Sequence, residues 1–402
     1  MVIRGTKAAL LALGLAGVGV AGVGLAACSS DSANDGGATT SSSTTTTTPE
    51  TVLDDDLKLN EIQAIGTHNS FHRPLPADEF ALLEALNPDQ AAERTYAHLP
   101  IGEQLDTQQI RQLELDIFVD TQGGLYASPA LRIRAGGGPL DDPAMAEPGT
   151  KVLHEQDVDY VSVCPTLVAC LTEVATWSDA NPDHVPVAIN LQFKDGPLIF
   201  DVPEQAVPEK WTSEAMDGLD EDIRSVFDPG DLITPDDVRG DAATLEASVL
   251  AGGWPTLGES RGKVMFLMIN GDPYRSIYLE GHPNLEGRIL FTNAEPGQPD
   301  ASYIGVDDPR EAPGRIAELV ELGYLVRTRA DTPGVEAAAD DTTRLEAALA
   351  SGAHWISTDY PGPDGAAEEW GTDYVAQLPG FLAARCNPVT APDACEDAAV
   401  EP

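Results

Sequence analysis

The sequence predicts an α/β fold, a (β/α)8 TIM-type barrel with an insertion between its fourth and fifth strands. Three observations carry that expectation. Eight short apolar runs of strand length recur along the chain, and helical segments separate several of them. The early runs deliver chemically loaded side chains: His68 and Asn69 after the first, Glu114 and Asp116 in the second, His154 at the end of the third. Functional groups at the C-terminal ends of successive strands mark the working face of a β/α barrel. No GxGxxG follows the first strand and no P-loop occurs, so nucleotide-binding sheets lack their fingerprint.

Taken in order, residues 59–66 read as the first strand, ending at Gly66. Residues 77–93 have helical composition, with Phe80, Leu82, Leu83 and Leu86 along one face. Residues 101–109 lead into the second strand, 111–119. There Leu113, Leu115 and Ile117 alternate with Gln112, Glu114 and Asp116, so the two acids share a face. The Gly/Pro-rich stretch 123–149 is a long loop, and 151–154 a short third strand. A helix over 166–179 carries Leu167, Leu171, Val174 and Trp177 at helical spacing. Residues 185–193 form the fourth strand. The insertion, 195–261, contains an acidic helical piece at 213–227 and a helix start at Pro235. Strands five to eight fall at 263–269, 288–292, 324–328 and 355–358, with helices at 308–322, 342–351 and, closing the chain, 374–384.

The first residues lie outside that core. Arg4 and Lys7 precede an apolar run that closes on Leu25-Ala-Ala-Cys28, the pattern of an export signal over 1–27. Its junction resembles a bacterial lipobox, which makes Cys28 the lipidated first residue of the mature chain. The polar Ser/Thr-rich stretch 28–56 reads as a flexible tether. This layout places the protein on the extracellular face of a bacterial cell membrane, or in the medium. The remaining four cysteines allow three pairings, of which the short separations favour Cys164–Cys170 and Cys386–Cys395. A structural zinc site is the competing reading, but no CxxC spacing occurs.

Against 66 acidic residues stand only 23 basic ones, a net charge of −43. Nucleic acid is excluded as a partner, because its phosphates need a basic footprint. An anionic substrate requires a local electropositive exception. Lys194, Arg327 and Arg329 supply one, the two arginines sharing a face of the seventh strand; Arg suits bidentate phosphate contact. Salt bridging to the abundant acids is the alternative use of the same side chains.

Glu114 and Asp116, if turned into a barrel buried on both faces, need compensation, and a hard divalent cation provides it. Asn69 offers a further carbonyl oxygen, and Ca²⁺ and Mg²⁺ both suit such a donor set. His68 and His154 supply an acid and a base that titrate near neutrality. A metal with two imidazoles suits phosphodiester cleavage. His72, in a loop before Pro74, reads as structural. Asp359 and Tyr360 follow the eighth strand at the rim; Tyr360 is a candidate substrate contact, without a role that pattern alone assigns.

Seven ordered blocks between Leu57 and Gly362 resemble the calcium-dependent bacterial phosphatidylinositol-specific phospholipase C-like proteins, within the wider barrel phosphodiesterases. They are Ile65-Gly-Thr-His-Asn-Ser-Phe-His72, Arg111-Gln-Leu-Glu-Leu-Asp116, Val152-Leu-His-Glu-Gln-Asp-Val-Asp159, Leu232-Ile-Thr-Pro-Asp-Asp-Val-Arg239, Gly253-Trp-Pro-Thr256, Val326-Arg-Thr-Arg-Ala-Asp331 and Ile356-Ser-Thr-Asp-Tyr-Pro361. The resemblance implies that His68 and His154 are the catalytic histidines and that Asn69, Glu114 and Asp116 bind calcium. The implied reaction is intramolecular. The inositol 2-hydroxyl attacks phosphorus, releasing diacylglycerol and a cyclic inositol phosphate. His68 would stabilise the phosphoryl transition state and His154 would protonate the leaving group, roles that could exchange. One departure stands out: where such proteins carry an acid before the fourth-strand lysine, this chain reads Leu191-Gln-Phe-Lys194. Gln192 keeps a carbonyl oxygen but removes a negative charge, which implies weaker calcium binding.

The expected layout is therefore a signal peptide at 1–27, a tether at 28–56, a phosphodiesterase barrel at 57–386 and a disulfide-bearing tail at 387–402. The expected partners are an inositol-containing phosphodiester and, through Cys28, a membrane, with the protein itself a monomer. A glycerophosphodiester or sphingomyelinase D-like phosphodiesterase, or a non-catalytic ligand-binding lipoprotein on the same barrel, are the rival readings.

Overall fold

The structure is a computed structural model that describes residues 54–198, 202–312 and 314–401. The export signal, Cys28 and nearly all of the tether lie outside the described residues. Among the described residues eleven strands occur in chain order: β1 (Ile62–Thr67), β2 (Gln112–Phe118), β3 (Lys151–Val152), β4 (Val187–Phe193), β5 (Leu232–Ile233), β6 (Val264–Met268), β7 (Leu290–Phe291), β8 (Tyr303–Gly305), β9 (Leu325–Arg329), β10 (Trp355–Thr358) and β11 (Ala384–Cys386).

Eight of them curl into a parallel β/α barrel. β1 pairs with β2 on one side and β10 on the other; β2–β4–β6–β7 and β10–β9–β8 extend the two arms. The arms meet at one parallel bridge, Asn293–Tyr303. β1 and β2 are buried along their whole length, as barrel strands must be when helices cover them outside. β3 and β11 are antiparallel additions to β2 and β1, and β5 pairs beside the start of β6.

The eightfold expectation holds with one change of membership. Residues 151–154, read as a barrel strand, supply only the two residues of β3, antiparallel to β2. The sixth place in the ring belongs to β8, three residues long in a stretch whose shortness leaves no alternation to read. The insertion at 195–261 thus separates β4 and β6, the third and fourth strands of the ring.

The helices form largely where their caps predict. Thr166 and Thr212 accept from Ala169 and Ala215, opening the helices Leu167–Ala180 and Ser213–Arg224. Residues 77–93 are two helices, because Asn87 caps a new start with Pro88 behind it. Residues 308–322 are helical only over Arg315–Glu321, entered from the left-handed Gly314. Residues 374–384 form no helix. Pro379-Gly380 breaks the run, and the segment ends in β11. Both expected disulfides are present, Cys164–Cys170 at the start of the helix Leu167–Ala180 and Cys386–Cys395 joining β11 to the tail.

A large core fills and surrounds the barrel. A second cluster, including Leu83, Phe118, Leu131, Leu153 and Val158, packs beneath the segments that follow β1 and β2. That second cluster fixes the loop bearing His154. No helix among the described residues is long and apolar enough to cross a membrane.

Candidate active site

The alternation on β2 turns Gln112, Glu114 and Asp116 to one face, in register with Ala188, Asn190 and Gln192 of β4. A chain of contacts crosses the barrel from there. Gln112 Oε1 accepts from Ser357 Oγ at 2.6 Å, Ser357 Oγ accepts from Arg327 Nε at 2.9 Å, and Arg327 Nη2 donates to Glu114 Oε2 at 2.6 Å. Gly66 is required beside them, since a Cβ there would sit 1.9 Å from Gln112 Oε1. Tyr303 of β8 takes a 3.2 Å hydrogen bond from Asn190 Nδ2 on β4.

His68 follows β1, its N–H continuing the ladder to the Thr358 carbonyl at 3.0 Å. Its Nδ1 lies 2.8 Å from Asp359 Oδ1, and its Nε2 3.8 Å from Glu114 Oε1. The two terminal nitrogens of Arg329 lie 3.3 and 3.2 Å from Nε2 and Nδ1, and Nη2 also donates to Asp359 Oδ2 at 3.2 Å. Burial, reinforced by the Arg329 charge, holds the imidazole well below its ordinary pKa, so it is neutral near pH 7. Behind Asp359, the carboxylate of Asp331 accepts its backbone N–H at 3.0 Å. Burial and the neighbouring Asp359 push Asp331 up to about 6.

His154 sits on the turn after β3. Its Nδ1 lies 2.7 Å from Asp159 Oδ2, while Asp159 Oδ1 lies 3.0 Å from His72 Nε2. Arg94 Nε adds a third contact to Asp159 at 3.2 Å. His72 Nδ1 faces the Tyr96 carbonyl at 3.0 Å, so both its ring nitrogens address acceptors. Burial lowers the pKa of His72, but Asp159 outweighs it and the net shift is upward. Burial likewise opposes ionisation of Asp159, yet the His72 charge and the two imidazole hydrogen bonds hold it well below the usual carboxylate range.

The expected metal residues are only partly tied down. Asn69 has a left-handed backbone (φ 46°); its Nδ2 donates to Tyr96 Oη at 2.9 Å, while its buried Oδ1 meets no donor. Asp116 is fully buried. Lys194 Nζ stands 3.0 Å from its Oδ2, but neither carboxylate oxygen receives an aligned hydrogen bond. Burial raises the pKa of Asp116 against the opposing charge of Lys194. Gln192 is beside it, its register partner on β4. Among the described residues no three His, Cys, Asp or Glu side chains group to hold a metal. A cation here would depend on two carboxylates plus amide carbonyls. The undonated buried oxygens of Asn69 and Asp116 are the hard donors that Ca²⁺ takes, so the set fits it.

Lys194, Arg327 and Arg329 therefore each stand on an acid: Asp116, Glu114 and Asp359. The electropositive patch and the salt bridges are the same side chains. Tyr360 is buried with its Oη held by Glu369 and Trp370, at 3.1 and 2.9 Å. Sequence reasoning left Asp159, Asp359, Tyr96 and Arg94 without roles. The two aspartates had a signal, each lying in a conspicuous block with a histidine or at a strand end; Tyr96 and Arg94 had none.

The family model for Ca²⁺-dependent phosphoinositide phospholipase C matches residues 57–388. No curated protein sequence matches. Among solved structures, a calcium-dependent phosphoinositol-specific phospholipase C from a Gram-negative Pseudomonas species, in a myo-inositol complex, is 17% identical, with a TM-score of 0.49 over 83% of this chain and 96% of that one. A Ca²⁺-dependent phosphatidylinositol-specific phospholipase C from Streptomyces antibioticus is 18% identical, with a TM-score of 0.49 over 76% of this chain and 95% of that one.

Proposed function

The chain belongs to the Ca²⁺-dependent phosphoinositide phospholipase C family, a phosphodiesterase by that membership, and from that premise we propose that it cleaves phosphatidylinositol-type lipids to diacylglycerol and a cyclic inositol phosphate. One observation carries the proposal. Each of two imidazoles has its Nδ1 anchored by a buried aspartate, His68 by Asp359 and His154 by Asp159, which His72 shares. Such anchoring puts the ring proton on Nδ1 and makes Nε2 the basic nitrogen; on His68 that nitrogen meets the Arg329 guanidinium at 3.3 Å, a contact the substrate hydroxyl would replace.

His68, neutral as the reaction begins, takes the proton of the inositol 2-hydroxyl at Nε2 while that oxygen bonds to phosphorus. His154 gives a proton from Nε2 to the glycerol oxygen as its bond to phosphorus breaks. This assigns His68 to proton removal in place of the transition-state contact expected from sequence, because a neutral ring offers the phosphoryl group no charge. Lys194 and Arg329 carry that charge at the rim, and Arg327 holds Glu114 in place. Asn69, Glu114, Asp116 and Gln192 would hold the Ca²⁺, which when bound stabilises charge on the phosphoryl oxygens.

We also propose that export and a lipid on Cys28 hold the barrel at the outer membrane surface; the two disulfides agree with an oxidising compartment. Cys28→Ser should move the protein from the membrane fraction to the medium. The activity itself is tested on phosphatidylinositol vesicles, with calcium and with a chelator. Calcium-stimulated release of diacylglycerol and soluble inositol phosphate is expected. No turnover by folded protein that still binds an inositol ligand tightly would replace the enzyme with a binding barrel.

A further inference from the structure

The histidine assigned to the leaving group rests on little strand. β3 contributes only Lys151 and Val152, and the Leu153 N–H meets the Asp116 carbonyl at 3.3 Å. Beyond it the chain enters the turn that carries His154 and Asp159. That turn closes on itself, the Glu155 and Asp159 backbones exchanging N–H···O bonds of 2.9 and 3.0 Å. Asp157 stands at its tip, buried, with a left-handed backbone (φ 70°). Its two carboxylate oxygens each take a backbone N–H from a different segment. Oδ1 accepts from Ala130 at 2.9 Å, in the loop after β2, and Oδ2 from Ala206 at 2.6 Å, in the loop after β4. The Asp157 carbonyl adds the Leu131 N–H at 3.2 Å, so one residue receives the first two N–H groups of the helix Ala130–Arg134. Beside it, Gln156 Nε2 donates to the Gly196 carbonyl at 3.1 Å, again after β4.

Segments that follow β2, β3 and β4 thus converge on one carboxylate, through hydrogen bonds that its charge strengthens. Leu131, Val158 and Val202, one from each segment, share the second core beneath it. Misplacing a reacting group by about 1 Å lowers a rate about 10²-fold, so what fixes this turn bears on the chemistry. We propose that Asp157 is a positioning residue. By tying the loops after β2 and β4 to the tip of the turn, it sets where His154 Nε2 stands against the departing glycerol oxygen. The inference rests on the reading above, in which His154 gives that oxygen its proton.

The test compares two esters in full-length protein. Phosphatidylinositol needs the proton, because a glycerol alkoxide leaves poorly; the p-nitrophenyl ester of inositol 1-phosphate departs as a stabilised phenolate and does not. Asp157→Gly removes the carboxylate and accepts the left-handed backbone. It should lower kcat about 10- to 100-fold on phosphatidylinositol and less than about threefold on the aryl ester, with circular dichroism unchanged. Added to His154→Ala, it should cause no further loss on the lipid. If Asp157→Gly fails to fold, Asp157→Asn keeps one acceptor oxygen, turns an amide toward the other N–H, and should show the same split at smaller size. Equal losses on both esters, no loss on either, or a full additional loss on top of His154→Ala overturns the positioning role. His154→Ala slowing both esters alike removes the general-acid reading, and the positioning role with it. Discrimination by His154→Ala without discrimination by Asp157→Gly removes the positioning role alone.

Discussion

Strands β9, β10, β1 and β2 bring Arg327, Arg329, Ser357, Asp359, His68, Gln112, Glu114 and Asp116 together, whereas every residue of β6 and β7 is apolar and fully buried. One ring thus contains a charged half and an apolar half. The apolar half is held by packing, where each side chain contributes through its own volume. In the charged half, each buried group is tolerable only while its partner is present: Arg327 for Glu114, Arg329 for Asp359, Lys194 for Asp116. Chemistry is therefore concentrated on one side, and stability there is a property of pairs.

The largest consequence falls on catalysis. His68→Ala or His154→Ala should each lower kcat by about 10²–10⁴-fold in protein whose circular dichroism is unchanged, measured on phosphatidylinositol vesicles. A substitution in the apolar half that matched this loss would erase the division.

Stability separates the halves next. Arg327→Leu strands Glu114 as a buried lone charge and should cost about 3–5 kcal/mol in urea unfolding. Adding Glu114→Leu should recover much of that, since the pair leaves together; a double variant no better than the single would mean the two are not coupled. Leu267→Ala, in the apolar half, should cost about 2–5 kcal/mol through the cavity it leaves, while kcat per folded molecule stays the same.

Acid acts on histidines that neither half uses for charge. His354 accepts from the Val326 N–H at 3.0 Å and faces the Asn60 carbonyl at 2.9 Å, an arrangement only the neutral ring satisfies. Burial lowers it, like His98, to about 4. The unfolded chain then binds more protons below its ordinary value near 6.5, so stability is full above that pH and is lost as pH falls toward 4. At pH 5 each ring should contribute about 2 kcal/mol of loss, and His354→Gln should remove its own share. His72, raised by Asp159, has the opposite sign and gives up stability as pH rises through its folded value.

Calcium gives the smallest effect. Ca²⁺ at about ten times its Kd should stabilise the protein by about 1.4 kcal/mol, visible as a rise in Tm, and joint replacement of Glu114 and Asp116 by Asn should abolish the rise. An unchanged shift would put the cation elsewhere.

These halves were not equally legible in the sequence. The charged half wrote itself in alternation: Leu113, Leu115 and Ile117 against Gln112, Glu114 and Asp116 specify both a strand and the face that matters. Short buried strands carry no such period. β8 has only Tyr303, Ile304 and Gly305, too few to show a period, and the apolar run at 151–154 that reads as a third barrel strand supplies only the antiparallel β3. The histidines could be found as strand-end residues. Their anchors could not be assigned, because Asp359 reaches His68 across 291 positions of sequence and only the closure of β10 against β1 brings them together. Asp159 lies five positions from His154, yet its sharing with His72 depends on a turn through the left-handed Asp157.

The account stands or falls on what the charged half makes from phosphatidylinositol. ³¹P NMR of a single reaction, followed from its first turnovers, distinguishes a five-membered cyclic phosphodiester from an open phosphomonoester by chemical shift. The paired imidazoles predict the cyclic inositol phosphate as the first product, with diacylglycerol released in equal amount. Direct appearance of inositol monophosphate or of phosphatidic acid, with no cyclic resonance at any time, would contradict it.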